Sequence, residues 1–542
     1  MEINSIQLEP SQRFLSDYYK QTDDILSHFQ YNPFQDTTYR ERLKALQSRD
    51  YSRIQLSETL YEMNAKWGAP KATLSNIERL KDEDSVVVIA GQQAGLLTGP
   101  LYTINKIISV IQFAKDQEEK QSVPVIPVFW IAGEDHDFAE INHIFMPNDN
   151  EMKKVTIGQY IQDKTPVSDI TLDQGLAKKW LDNLFECMSE TEHTKDLYRT
   201  IEHCLLNATS YVDFFARIIY CIFPDTGVIL LDSGDKALRQ LESDYFIQLI
   251  HNQPTVAQGV HETVEQLKQK GYELTLDTTP FDGHLFYHKD QTRSLLMRDP
   301  VSSMWTSKLG DIQLTTEELL NVAKFSPERL SNNVVSRPLM QEWLFPTLAF
   351  LGGPGELAYW SALKPAFAAC HLSMPPVLPR QSYTFVNRHI ERLLRKHHIN
   401  AQEAITNGVS EQKINWLAAQ QNPPIKDVVN EIKRTVDSAH RPLRDIAENM
   451  QPDMKQLAHK NLQHLNKTLD FIEKRMSKAL EEKYAHTINE FDLINMALRP
   501  NNQFQERIWS PLPLMNEYGI DFIQSISQQS WSMMNKHFVV YL

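Results

Sequence analysis

Cysteine is scarce. Four residues in 542, Cys187, Cys204, Cys221 and Cys370, stand far apart and form no Cys-x-x-Cys pair. That argues against a disulfide framework or a thiolate zinc site and suits reduced core thiols of a cytoplasmic protein. No apolar run reaches the ~20 residues that a membrane-spanning helix needs, so no membrane partner is expected. The first residues, Met-Glu-Ile-Asn-Ser-Ile, lack the basic and apolar blocks of a secretory signal. Positive charge is in deficit: 55 Lys and Arg face 69 Asp and Glu, a formal net charge of −14. This disfavours nucleic-acid binding as the main activity. Internal repeats and low-complexity tracts are missing. So are Gly-x-Gly-x-x-Gly and the phosphate loop that ends in Gly-Lys-Ser/Thr. What remains is a globular composition, 42% hydrophobic and 23% charged, in a chain long enough for two or three domains.

The stretch that organises the chain is 86–106. Val86 to Ala90 is a β-branched apolar run suited to a central strand buried on both faces. Gly91, Gly95 and Gly99 follow at steps of four, with Gln92, Gln93 and Thr98 between them. Pro100 sits where a helix can begin, and Leu101, Ile104, Ile107, Ile108 and Ile111 carry an apolar helical face onward. Strand, glycine turn and helix start together make a candidate anion or nucleotide site, because free N–H groups and the helix dipole converge there. The bland alternative is that the glycines only permit tight turns and close packing. Lys106, about two turns into the helix, reaches a phosphate only by folding back; otherwise it is a solvated helix-face lysine.

Further along, helices are expected at 11–30 and 38–80. A second strand is expected at 125–131, and 150–205 is polar and mixed, read as an insertion. A buried helix is expected at 211–223 and a third strand at 228–231, ending at Asp232. Helices follow at 235–251 and 260–271, then strands at 285–287, 294–297 and 347–351. Alternating buried strands and helices argue for a parallel α/β sheet. At the C-terminal end, Ile425, Val429, Ile432, Val436, Ala439, Leu443, Ile446 and Met450 repeat in heptad steps. After Gln451-Pro452-Asp453 the repeat resumes from Ala458 to Ala479. This predicts an antiparallel helical hairpin with arms of roughly 40 Å, at about 1.5 Å per residue. Pro442 should interrupt the first arm, and the outer apolar stripe predicts a homodimer contact. The last segment, 501–542, should pack back on the core. The expected domains are 1–385, with insertions at about 150–210 and 255–330, then 386–500, then 501–542.

Three further stretches carry candidate chemistry, and a fourth only resembles one that does. Glu134, Asp135, His136 and Asp137 follow the second strand, where ligands of open α/β sheets bind. They can orient an amine or act as acid or base, or simply cap nearby helices. No second cluster of His and carboxylates accompanies them, so no metal site is expected. Asn332, Asn333, Arg337 and Gln341 form a polar cluster; Arg337 suits a carboxylate or phosphate, while the Asn and Ser residues suit a helix-capping turn. Gly352, Gly353 and Gly355 with Glu356, Tyr359 and Trp360 form a second glycine loop and a candidate substrate pocket, with Glu356 either catalytic or a dipole cap. Lys474-Arg475-Met476-Ser477-Lys478 looks like the Lys-Met-Ser-Lys-Ser loop of class I aminoacyl-tRNA synthetases, but Met476 falls on the heptad of a long helix.

Gly-Gln-Gln-Ala-Gly-Leu-Leu-Thr-Gly-Pro-Leu-Tyr-Thr-Ile-Asn-Lys (91–106), Phe-Trp-Ile-Ala-Gly-Glu-Asp-His-Asp (129–137), Leu-Gly-Gly-Pro-Gly-Glu-Leu-Ala-Tyr-Trp (351–360), Val-Leu-Pro-Arg (377–380) and the coiled coil resemble the cysteine-adding enzymes of bacillithiol biosynthesis. The resemblance spans essentially the whole chain. It implies a Rossmann-like core related to nucleotidylyl transferases and class I synthetases, with connecting-peptide insertions and a dimerising helical domain. It also implies a cytoplasmic ligase that joins cysteine to glucosaminyl-malate and adds Tyr102 and Arg380 to the candidate binding residues. Joining a carboxylate to an amine in water is uphill, so ATP with Mg is the natural activating cosubstrate. The chain lacks the His-x-Gly-His signature of those relatives; Thr98 to Thr103 stand in its place. Two rival readings are a nucleotide-binding scaffold built on the coiled coil and a metal-dependent hydrolase or nucleotidyltransferase.

Overall fold

Five parallel strands form the centre. In the computed structural model of the chain, residues 1–542 are described apart from 11, 162–163, 290–291, 309, 422 and 532–535. The strands are β1 (Val86–Gln92), β2 (Val125–Ile131), β3 (Ile229–Asp232), β4 (Thr347–Gly352) and β5 (Val377–Pro379). Their spatial order is β5-β4-β1-β2-β3, every pairing parallel. The chain therefore winds outward from β1 to β3, then returns to the other side of β1. The crevice beyond the carboxyl ends of β1 and β4 is the switch point where such sheets bind ligands. β1 shows why the sheet is central: Val86, Val88 and Ala90 enter one core and Val87 and Ile89 the other.

The helices used below are α1 (Leu101–Gln121), α2 (Thr194–Leu206), α3 (Tyr211–Ile222), α4 (Ser336–Leu344) and α5 (Pro354–Trp360). The 150–205 region lies between β2 and β3 in the chain, yet Trp180, Leu181, Leu197 and Ile201 share a core with β1 and β2. It is built into the body.

Three expectations are corrected. The N-terminal helix is two short ones, Arg13–Tyr19 and Asp23–Leu26, separated where Gln21 takes a φ of 55°; residue 11 lies outside the described residues. The helices expected at 235–251 and 260–271 are instead Lys236–Leu241 and one unbroken Ser243–Gln269 that runs through Pro254. Val256, Ala257, Val260 and Val264 are fully buried along it, and that packing outweighs one lost backbone bond. The strands near 285 and 294 do not join the parallel sheet. They are the hairpin Asp282–Lys289 and Thr292–Arg298 of a separate five-stranded antiparallel sheet whose edge is Leu330–Asn332.

The coiled coil is α6 (Ile425–Glu448) and α7 (Pro452–Lys483). With 24 and 32 residues the arms are about 36 and 48 Å long. Pro442, expected to interrupt and kink the first arm, does not divide it: α6 is one helix through that residue. Met476 lies inside α7, so the synthetase-like run is helical. Ile432, Leu443, Ile446, Met450, Leu465, Ile472 and Met476 remain substantially exposed. Trp509, Leu512, Met515 and Ile526 from the last segment enter the core around α1. Strand His537–Tyr541 lies between Glu2–Ile6 and Ser382–Val386. Among the described residues no helix is long and apolar enough to cross a membrane.

Candidate active site

The first glycine loop is tightly folded. A Cβ on Gly91 would lie 2.7 Å from the Trp130 carbonyl oxygen, and one on Gly95 would lie 2.9 Å from the Gly99 Cα. Leu97, Thr98 and Gly99 all take positive φ. This compact turn starts α1 close against the end of β1. Side chains on a helix lean toward its N-terminus, so Lys106 runs back to the strand end. Lys106 is 4% exposed, not a solvated helix-face lysine. Its ammonium donates to the Gly91 carbonyl at 2.8 Å and Gln92 Oε1 at 2.9 Å, and pairs with Glu356 Oε2 at 2.5 Å.

Glu356 comes from the second glycine loop, at the end of β4. Its carboxylate caps the start of α5 by accepting the Gly353 N–H at 2.8 Å, so the dipole-cap role and the pairing with Lys106 coexist. Burial pushes the Glu356 carboxyl up, but Lys106, Arg337 and that N–H together hold it below the usual carboxylate value. Burial lowers the Lys106 ammonium despite Glu356. Arg337, on α4, donates to the Tyr359 hydroxyl, and its Nε is buried with no partner among the described residues. Thr98 Oγ1, Thr103 Oγ1 and Gln341 Oε1 are likewise buried and unpartnered. Arg337, a charged group with an open N–H, thus stands near the Lys106–Glu356 pair.

Arg380, just past β5, grips Glu506 with two bonds of 2.7 Å, and Asn105 donates to Glu506 at 2.6 Å. Tyr102 is partly buried, and burial raises its hydroxyl. A cavity of about 530 Å³ opens beside Arg380, lined by Pro354, Arg499, Phe504, Arg507 and Lys536 among others, with more cationic than anionic groups in its wall.

The 134–137 run is divided. Glu134 turns inward, pairs with Arg239 and accepts the Asn332 N–H at 3.1 Å. Arg239 also holds Glu242 at 2.6 Å, and burial pushes Glu242 up to about 7. Asp135 is half-exposed, accepts from Gln93 Nε2 at 2.7 Å and lies 3.6 Å from Arg293. His136 Nδ1 is 3.2 Å from Arg293 Nη1; burial and that guanidinium lower the imidazole. Asp137 is exposed. Among the described residues no three His, Cys, Asp or Glu side chains are placed to hold a metal.

Asn333 and Trp360 are engaged elsewhere, and the second-loop glycines differ in the room around them. Asn333 Oδ1 accepts the Val335 and Ser336 N–H groups at 2.8 and 3.0 Å, the helix-capping alternative. Trp360 is core rather than pocket, stacked on Phe350 at 4.5 Å. A Cβ on Gly352 would lie 3.0 Å from the Glu356 Cβ, whereas one on Gly355 would meet nothing within 4 Å.

Two residues that hold the arrangement had no sequence signal and a third had a weak one. Arg239 and Arg293 sit in ordinary helical and hairpin segments. Asp232 ends β3, accepts from Ser168 Oγ at 2.7 Å and the Gly234 N–H at 2.9 Å, and is pushed by burial up to about 7. Its place at a strand end was the one hint available.

Two family models together match nearly the whole chain. The family described as "Bacillithiol biosynthesis BshC, N-terminal Rossmann-like domain" matches 1–381, and "Bacillithiol biosynthesis BshC, C-terminal coiled-coil domain" matches 383–542. A protein of Oceanobacillus iheyensis, provisionally named cysteine ligase BshC, is 40% identical over 545 residues, all of both chains. Similarly named proteins of a Geobacillus species and of Bacillus cereus are 40% and 39% identical over 542 residues, again all of each chain.

Proposed function

The chain belongs to the BshC family of bacillithiol biosynthesis, and from that membership we propose that it is a carbon–nitrogen ligase that joins L-cysteine to glucosaminyl-malate. ATP, as the Mg complex, activates the cysteine carboxylate. One carboxylate oxygen attacks phosphorus, and pyrophosphate or ADP leaves. The glucosamine amine then attacks the acyl carbon, loses a proton, and AMP or phosphate departs with that oxygen.

The observation that carries this reading is the Lys106–Glu356 pair across the switch point, with the unpartnered Arg337 Nε beside it. The β1 loop is the proposed phosphate contact, and Lys106 and Arg337 stabilise negative charge as it develops. Glu134 is engaged by Arg239 and Glu356 by Lys106, so the outward part of the 134–137 run, Asp135 and Asp137, is the proposed contact for the attacking amine. The exposed apolar stripe of α6 and α7 fits a second copy of the chain, so the working form is a homodimer. ATP and free cysteine place the work in the cytoplasm.

The test is mass spectrometry of purified protein with cysteine and glucosaminyl-malate, with and without Mg-ATP. Bacillithiol formed only with ATP supports the ligase, and AMP or ADP identifies the intermediate. Bacillithiol formed equally without ATP overturns carboxylate activation. No product from folded dimer with all three substrates overturns the ligase reading.

A further inference from the structure

We propose that Cys204 and Cys221 form a reversible disulfide, an oxidation site outside the active site. Cys204 lies in the last turn of α2 and Cys221 in the last turn of α3, and both are free thiols. Their Sγ atoms are 3.5 Å apart. A disulfide bond is about 2.05 Å long, so small rotations at two side chains bring the sulfurs into bonding range.

The two thiols are not equivalent. Cys204 is 3% exposed, whereas Cys221 is only partly buried. Arg217 lies one helical turn before Cys221, its guanidinium tied to the Lys66 carbonyl at 2.7 Å. Hydrogen bonding between the thiols lowers Cys221 and raises Cys204, and Arg217 favours the thiolate of both. Cys221 is therefore the attacking sulfur and Cys204 the resolving one.

The oxidant class is a peroxide. The Cys221 thiolate attacks one oxygen of hydrogen peroxide and the O–O bond breaks. Hydroxide leaves and takes up a proton, and Cys221 becomes a sulfenic acid. The Cys204 sulfur then attacks Cys221, giving up its proton as the S–O bond breaks and water leaves. Two thiols and one peroxide give one disulfide and two waters. α3 packs against the Leu96–Thr98 turn of the first glycine loop, so the new bond ties the support of that loop to α2.

The experiment treats the native full-length chain, and a Cys187→Ala variant that lacks the exposed thiol, with a small molar excess of hydrogen peroxide. Unreduced peptide mapping follows. The expected result is a peptide pair joined through Cys204 and Cys221 in both proteins, lost on adding dithiothreitol. Cys204→Ser should instead leave a Cys221 sulfenic acid that dimedone traps. The proposal is overturned if Cys187 oxidises in the wild-type chain while this pair stays reduced. It is equally overturned if Cys221 proceeds to sulfinic acid with Cys204 free.

Discussion

The Lys106 ammonium and the Glu356 carboxylate meet at 2.5 Å across the ends of β1 and β4, each brought there by its own glycine loop. The pair joins the two halves of the winding sheet; the Lys106 side chain is 5% exposed and that of Glu356 18%. Removing one partner strands a buried charge. Lys106→Met should destabilise the chain by about 3–5 kcal/mol, whereas the double replacement Lys106→Met with Glu356→Leu should cost less than the two single changes summed. Urea denaturation of the four proteins checks this.

Gly91 and Gly355 separate packing from ligand contact. Gly91→Ala forces a Cβ against the Trp130 backbone, and should cost about 1–3 kcal/mol. Gly355→Ala meets open space inside a helix and should leave stability unchanged or raise it by up to ~1 kcal/mol. Turnover lost in Gly355→Ala without loss of stability would mark that open space as substrate room.

Asp232 gives a pH signature. Its folded value is raised to about 7 from 3.8, so between these values the folded chain holds a proton that the unfolded chain has released. Its contribution to stability is fully present below about 4 and is lost as pH rises through 7. Asp232→Asn keeps the acceptor for Ser168 and Gly234 and cannot ionise. It should flatten the fall in stability over that window, measured as urea midpoints at pH 5 and pH 8.

The coiled coil yields a prediction independent of chemistry. Leu443 and Ile446 are 60% and 59% exposed on α6. Replacing both with Asp should turn a dimer into a monomer with an unchanged helical circular-dichroism spectrum. Sedimentation equilibrium reads the mass directly.

The parallel sheet and the helical hairpin were legible because their periodicities are local. Val86 to Ala90 and the heptads from Ile425 to Ala479 announce themselves within a few turns of chain. The fate of Lys106 was half legible: folding back along the helix was one of its two readings, but the partner it meets there, Glu356, is distant in the chain. Arg239 and Arg293 were invisible for the same reason: only the fold brings them to Glu134 and Asp135. Trp360 misled because an aromatic beside a glycine loop suits a pocket as well as it suits a stack on Phe350. The gap expected between 251 and 260 misled because burial along one helix face holds Ser243–Gln269 together as one helix.

The most direct test of the proposed chemistry uses cysteine labelled with ¹⁸O in both carboxylate oxygens, incubated with glucosaminyl-malate, Mg-ATP and the purified chain. Activation of the carboxylate predicts one label retained in the bacillithiol amide and the other transferred to AMP or phosphate, in equal amounts. Bacillithiol formed with no label in AMP or phosphate would contradict it.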